Sequence, residues 1–263
     1  MIRLITTDLD GTLIDQTKRE VSPRMGEIIH ELTGRGIAFA PASGRQLTSL
    51  RRLFHMAADE CYYVAENGAV VWDGQSRVIH KTPMDREVAE AAAWDFWNNS
   101  DGQGEVMISG ECMSYLMLRG EDSPMYARMK FIGNRHTIIH DPAEIPEDIV
   151  KVACYFKDGS AHFIDRFEEK WAHVNCAISG PYWIDMMKAN KGTGILALCE
   201  HLGIEPSQVM SFGDNFNDVP MLDLVGEPYL VEHANPGLLE RYPKHVTSVE
   251  DALEAFLKDP KLS

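Results

Sequence analysis

Two aspartates, Asp8 and Asp10, stand two residues apart just after a short apolar, β-branched run (residues 2–7) and just before Gly11-Thr12. An apolar run that stops at charge and glycine reads as a buried strand whose end opens into a site. In open α/β sheets, ligands bind beyond the carboxyl ends of the strands. Three more polar clusters follow expected strands or open a helix: Ser43-Gly44-Arg45, Lys191-Gly192, and Asp214 with Asn217 and Asp218. Right-handed crossovers in a parallel sheet bring all these strand ends to one edge. Carboxylates gathered in this way need a cation among them. A hard divalent ion answers that need, and Mg²⁺ works with one or two carboxylates plus phosphate and water.

The reaction class follows from charge. A carboxylate attacking a phosphate dianion ~3.5 Å away meets about 9 kcal/mol of repulsion at an effective dielectric of about 20. A divalent metal and a lysine are the groups that cancel it. A carboxylate nucleophile then gives an aspartyl-phosphate. A second acid two residues on protonates the leaving alcohol and later activates water. The backbone N–H groups of Leu9 and Gly44 are candidate phosphate donors, because glycine-containing turns leave amides unpaired.

The elements that must position these groups are legible from spacing. Ser22-Pro23 supplies a helix cap and a first-turn proline, with Met25, Ile28, Ile29 and Leu32 at helical intervals behind it. Residues 37–40 read as a second strand running into Ser43. Leu47, Leu50, Leu53 and Phe54 make the next helix, and residues 62–65 the third strand. This alternation predicts a parallel sheet with crossover helices. Asn67-Gly68 and Asp73-Gly74 are turn signals around a hairpin. From Thr82-Pro83 the rhythm changes to more antiparallel character, with a long strand at 149–156, a helix lined by Phe163, Ile164, Phe167 and Trp171, and a strand pair at 176–179 and 182–186. At Lys191 the first rhythm returns, with a strand at 209–212 and a last helix at 249–257. The expected fold is α/β: a doubly wound, mostly parallel Rossmann-like core over 1–82 and 189–263, with an α/β cap inserted over 83–188.

Taken one at a time, the clusters have plainer readings. Asp8/Asp10 alone would be a surface turn, Ser43-Gly44 a turn, Lys191 a solvated lysine, and Asp214/Asp218 a helix cap and first-turn acid. A calcium loop is excluded, because its glycine comes sixth whereas Gly11 comes fourth in its run. Met186 and Met187 read as strand packing, and Asn67-Gly68 as a turn at the active edge. Arg45 is a candidate substrate contact whose plainer role is to pair with a surface acid.

DLDGT, SGR, KG and GDNFND, in this order, resemble the motifs of the haloacid dehalogenase superfamily of phosphatases, most closely its Cof-type members, whose α/β cap lies between the second and third motifs. The resemblance implies that Asp8 is the nucleophile and Asp10 the general acid/base. It implies that Ser43 binds the transferring phosphoryl group and Lys191 balances its charge. Mg²⁺ would be held by Asp8, the backbone carbonyl of Asp10 and Asp214, with Asn217 on phosphate and Asp218 supporting the metal from nearby. The implied activity is hydrolysis of small phosphomonoesters, either sugar phosphates or nucleotide and cofactor phosphates. The cap would close over the site, exclude water and shape the leaving-group pocket. Asn67 joins Arg45 as a candidate substrate contact. Two alternatives share the intermediate: a sugar phosphotransferase or phosphomutase, and a phospho-aspartate signalling module. The latter is disfavoured by the large insert and by Asp8 following the first strand.

Composition bounds the partners. The 263 residues carry a formal net charge of −15, which disfavours nucleic acid and anionic membrane surfaces. No apolar stretch approaches the roughly 20 residues of a membrane span, and no signal-peptide pattern opens the chain. Five scattered cysteines, none in a CxxC, fit reduced thiols in a cytoplasmic protein and no disulfide framework. A small phosphorylated metabolite is the expected partner, and the sequence is silent on oligomeric state.

Overall fold

The computed structural model describes residues 1–15 and 20–259. The remaining positions of the expected core spans, 16–19 and 260–263, lie outside the described residues. The chain divides into two units, one built from Met1–His80 and Asn190–Ser263, the other from Lys81–Ala189.

In chain order the first unit begins with β1 (Leu4–Thr7), α1 (Pro23–Gly34), β2 (Ala38–Pro41), α2 (Leu47–Leu53), β3 (Tyr63–Ala65), β4 (Val70–Trp72) and β5 (Val78–Lys81). The second unit holds α3 (Arg86–Asn99), β6 (Gly104–Gly110), β7 (Ser114–Met117), α4 (Pro124–Ile132), β8 (His136–Ile138), β9 (Ile149–Phe156), β10 (Ala177–Gly180) and β11 (Trp183–Met186). The chain then returns to the first unit with α5 (Lys191–Leu202), β12 (Val209–Gly213), α6 (Val219–Leu222), β13 (Glu227–Val231), α7 (Pro236–Leu239), β14 (His245–Val246) and α8 (Val249–Lys258).

The first unit holds a five-stranded parallel sheet in the order β14-β13-β12-β1-β2 and a three-stranded sheet in the order β3-β4-β5. Bridges from Phe39 to Cys61 and from Ala42 to Val64 bring β3 alongside β2. β1 lies between β12 and β2 and has no exposed residue. Burial on both faces explains its unbroken apolar and threonine run. Its register pairs Thr7 with Phe212 and with Pro41. The residues following β1, β2 and β12 therefore leave the sheet at one edge, and they are Asp8, Ser43 and Asp214. Helix caps set where the crossovers begin. Ser22 Oγ accepts the Met25 N–H at 3.0 Å. Asn190 forms a capping box with Thr193 at the start of α5, so that helix opens on Lys191.

The second unit is a six-stranded sheet, β10-β11-β9-β6-β7-β8, antiparallel except at β7–β8. One face packs α3 through Ala89, Ala92, Ala93 and Phe96 against Val106, Val152, Cys154 and Phe156. The other packs α4 through Met125 and Met129 against Met107, Leu116 and Ala153.

Two local expectations fail. Phe163, Ile164, Phe167 and Trp171 do not line a helix but sit on and between short 3-10 turns at Ser160–His162, Ile164–Arg166 and Ala172–Val174. Phe163 stacks on Phe156 at 4.3 Å and Phe167 meets Phe96 at 4.8 Å. Packing of these rings outweighs the modest helical preference of the segment. The short strand β14 at the sheet edge was not expected either. The five cysteines are unbonded, four of them buried and Cys112 exposed. Met186 and Met187 are buried, as strand packing requires. Among the described residues no helix is long and apolar enough to cross a membrane.

Candidate active site

The site is built at the carboxyl edge of the first unit's sheet. Asp8 follows β1 directly, its N–H bonded to the Phe212 carbonyl of the neighbouring strand at 2.9 Å. The turn after it is tight. The Leu9 carbonyl accepts the N–H groups of Thr12, Leu13 and Ile14, and the Gly11 N–H returns to the Ile14 carbonyl. These bonds bypass the backbone carbonyl of Asp10. Leu9 itself anchors the turn with a fully buried side chain.

Lys191 has no exposed side-chain surface. Its ammonium is ion-paired to Asp8 Oδ1 and lies 2.6 Å from Asp218 Oδ1. The second oxygen of Asp218 accepts the N–H groups of Asp214 at 2.9 Å and Asn215 at 3.1 Å. Asp218 thus fixes both the lysine and the loop that carries Asp214. Asp214 accepts the Thr12 hydroxyl at 2.8 Å. Gly11, with φ of 103°, leaves room for it, since a Cβ there would stand 2.8 Å from Asp214 Oδ2.

Carboxylate oxygens of Asp8, Asp214 and Asp218 lie within 4.8 Å of one another. Three carboxylates share one ammonium, and the imbalance shows in the titration of Asp8 and Asp214. Burial, then the neighbouring Asp218 and Asp214, push Asp8 well above the usual range despite the opposing pull of Lys191. Burial and Asp218 likewise raise Asp214. Burial alone would lower Lys191, but Asp218 and Asp8 outweigh it and hold the ammonium charged. A cluster of hard oxygen donors short of positive charge fits a divalent cation held by Asp8 and Asp214. Both oxygens of Asp218 are engaged by Lys191 and by the N–H groups of Asp214 and Asn215.

On the other side of Asp8, Asp10 is gripped by Arg45: Nε lies 2.8 Å from Oδ2, and Nη2 bonds Oδ1. The Arg45 side chain is only 8 % exposed and that of Asp10 26 %. Arg45 therefore does not pair with a surface acid, as sequence reasoning favoured. Its partner is the candidate acid/base.

Ser43 is buried, its N–H bonded to the Val64 carbonyl at 2.9 Å and its hydroxyl accepting the Arg45 N–H at 3.3 Å. The Asn67 N–H bonds the Ser43 carbonyl at 2.8 Å, and the Glu66 N–H bonds the Arg45 carbonyl at 3.1 Å. A Cβ on Gly44 would stand 3.2 Å from the Asn67 amide. Glu66, Asn67 and Gly68 all take positive φ, at 48°, 53° and 94°. Strained backbone of this kind persists where the surroundings hold it, often beside a site. Asn217 is half-buried in the turn Phe216–Asp218. None of the site's hydrogen bonds among the described residues uses its side chain.

Two contributors escaped sequence reasoning. Thr12 was visible only as part of the DLDGT run, not as the donor to Asp214. His233, whose Nε2 lies 2.8 Å from the Gly11 carbonyl, gave no signal at all, because nothing in the spacing ties it to the first turn.

A family model described as haloacid dehalogenase-like hydrolase matches residues 5–256. A protein named HMP-PP phosphatase, from Cronobacter sakazakii, is 26% identical over 248 residues, covering 92% of this chain and 89% of its own. Among solved structures, SMU.1108c from Streptococcus mutans superposes with a TM-score of 0.84 at 23% identity, covering 98% and 100% of the two chains. A sugar phosphatase of HAD subclass IIB superposes with a TM-score of 0.80 at 17% identity, covering 97% and 98%.

Proposed function

The chain belongs to the haloacid dehalogenase-like hydrolase family, and from that premise we propose that it hydrolyses small phosphomonoesters through an aspartyl-phosphate on Asp8. The observation that carries this reading is the environment of Asp8. It is a buried carboxylate at a strand end, tied to a fully buried lysine and crowded by two further acids. Such a carboxylate is costly to fold, and the site is short of positive charge where an anion must be attacked.

The chemistry assigned to each residue is as follows. Asp8 attacks phosphorus while the bond from phosphorus to the ester oxygen breaks, and the Asp10 carboxyl delivers its proton to the departing alcohol. Asp10, now a carboxylate, takes a proton from water. The water oxygen bonds phosphorus and the bond to Asp8 breaks, which releases phosphate and restores both acids. Ser43, Asn217 and the N–H groups of Leu9 and Gly44 hold the phosphoryl oxygens, and Lys191 balances their charge. Mg²⁺, held by Asp8, Asp214 and the Asp10 carbonyl, would supply charge neutralisation at the phosphoryl group.

The proposed substrate class is sugar phosphates or nucleotide and cofactor phosphates; the C. sakazakii relative carries the name HMP-PP phosphatase. Choice among them is assigned to the second unit. The test is a phosphate-release screen with Mg²⁺ over sugar phosphates, nucleotides and pyridoxal phosphate, alongside Asp8→Asn and Asp10→Asn. Turnover abolished in Asp8→Asn supports the reading, and near-normal turnover in that variant overturns it.

A further inference from the structure

We propose that Arg45 is a positioning residue for proton delivery: its guanidinium fork aims the Asp10 carboxyl at the leaving-group oxygen. This rests on the phosphatase reading above and gives Arg45, a candidate substrate contact by sequence, a different task.

The geometry is specific. Arginine presents a planar fork that matches a carboxylate at two points, and a two-point grip fixes the plane of the carboxyl as well as its position. Here Nε and Nη2 engage one oxygen of Asp10 each. The grip is itself anchored. The Arg45 N–H bonds the Ser43 hydroxyl at 3.3 Å, and the Arg45 carbonyl accepts the Glu66 N–H at 3.1 Å. The arginine is buried, and the carboxyl it holds is a quarter exposed. Each carboxylate oxygen has a second lone-pair site that the fork leaves unused.

Asp8 needs no such device, because Lys191 already holds it. Asp10 has no other charged partner among the described residues. Without the fork its side chain would rotate freely about two torsions at the partly exposed edge, and proton transfer depends on alignment within hydrogen-bond reach. In the step at stake, the bond from phosphorus to the ester oxygen breaks as that oxygen takes the Asp10 proton. An alkoxide leaves poorly without this proton, whereas p-nitrophenolate leaves readily.

The experiment compares kcat/KM on glycerol phosphate and on p-nitrophenyl phosphate for the full-length wild type, Arg45→Ala, Arg45→Lys, Asp10→Asn and the double variant Asp10→Asn/Arg45→Ala. Thermal melts confirm that each variant is folded. Because general acid catalysis contributes about 10²–10⁴-fold, Arg45→Ala is expected to lose on the order of 10²-fold on glycerol phosphate and less than about tenfold on p-nitrophenyl phosphate. Arg45→Lys, which keeps the charge and loses the fork, should fall between. The double variant should lose no more than Asp10→Asn alone, as coupled residues do. An equal loss on both substrates, or a loss that adds to that of Asp10→Asn, would overturn the assignment and make Arg45 a phosphate or packing contact. A wild type inert on every phosphomonoester would instead overturn the phosphatase reading, and this inference with it.

Discussion

The Lys191 ammonium lies 2.6 Å from Asp218 Oδ1, and neither side chain has any exposed surface. The pair is the pivot of the site, because Asp218 also receives the N–H groups of Asp214 and Asn215. Asp218→Ala leaves Lys191 its ion pair with Asp8 but removes a buried acceptor for the ammonium and for two loop N–H groups. It is therefore expected to lower the unfolding free energy by about 1–3 kcal/mol, measured by urea denaturation. The pH dependence has an alkaline sign. Lys191 is raised above its usual 10.5, so its contribution is complete below pH 10.5 and is lost as pH rises through the folded value. An unchanged urea midpoint in Asp218→Ala would show that the pair carries no stability.

The divalent ion is predicted to act on stability as well as on turnover. Asp8 and Asp214 are both raised above the usual 3.8, so in the metal-free chain they cost stability increasingly as pH rises above that value and through their folded values. A cation held by the same oxygens competes with protons. Added Mg²⁺ should raise the melting temperature more at pH 8 than at pH 5, and chelation should reverse the rise. Asp214→Asn should remove most of the effect. A Mg²⁺ shift that is the same in Asp214→Asn as in the wild type would place the ion elsewhere.

How much of this was visible in the chain depends on the range over which each contact acts. Asp8, Ser43 and Asp214 were legible because each stands within two residues of the end of an apolar strand, and a parallel sheet carries every such end to one edge. Lys191 was legible as the opening of a helix that restarts the first rhythm. The partner of Arg45 was not, since 40 acids are available and only coordinates choose among them. The segment around Phe163 and Phe167 misled for the opposite reason: its apolar spacing suits a helix, but its rings are claimed by α3 and β9. Gly68 read as a turn residue, whereas its larger role is to admit another element.

That role gives a further prediction. Gly68 takes φ of 94°, and a Cβ there would stand 2.1 Å from the Asn190 carbonyl oxygen, at the cap of α5. Gly68→Ala therefore adds a strained backbone to a clash that only a shift of the α5 start relieves. Because Lys191 is the first residue of that helix, the variant should lose activity along with stability. Roughly 1–3 kcal/mol of stability and a tenfold or larger fall in kcat, on the order set by misplacing a catalytic group, are expected. The control is Gly203→Ala, also at positive φ but with open space around its Cβ position. It should lose stability with kcat unchanged, and equal effects on kcat would refute the proposed link to Lys191.

The second unit has a stability switch of its own at Asp95. Its carboxylate accepts the Trp171 indole N–H at 2.6 Å, the Lys170 ammonium at 2.7 Å and the Asn99 amide at 2.8 Å. Burial alone would raise Asp95, but these three donors outweigh it and hold it below the usual 3.8. A depressed carboxylate stabilises the fold above its unfolded value and loses that contribution as pH falls through its folded value. The loss is thus confined to the region below about pH 4. Asp95→Ala leaves the buried indole N–H of Trp171 unpaired and should cost about 1.5–3 kcal/mol at neutral pH. Asp95→Asn keeps an acceptor for the indole and removes only the charge, so it should cost less and flatten the acid limb. Hydrogen exchange at the Trp171 indole, followed by NMR between pH 3 and 7, separates the two variants. Exchange should be faster in Asp95→Ala at every pH, whereas in Asp95→Asn protection should no longer depend on pH. Protection in Asp95→Ala equal to that of the wild type would show that aromatic packing alone holds Trp171, leaving the carboxylate no part in anchoring it.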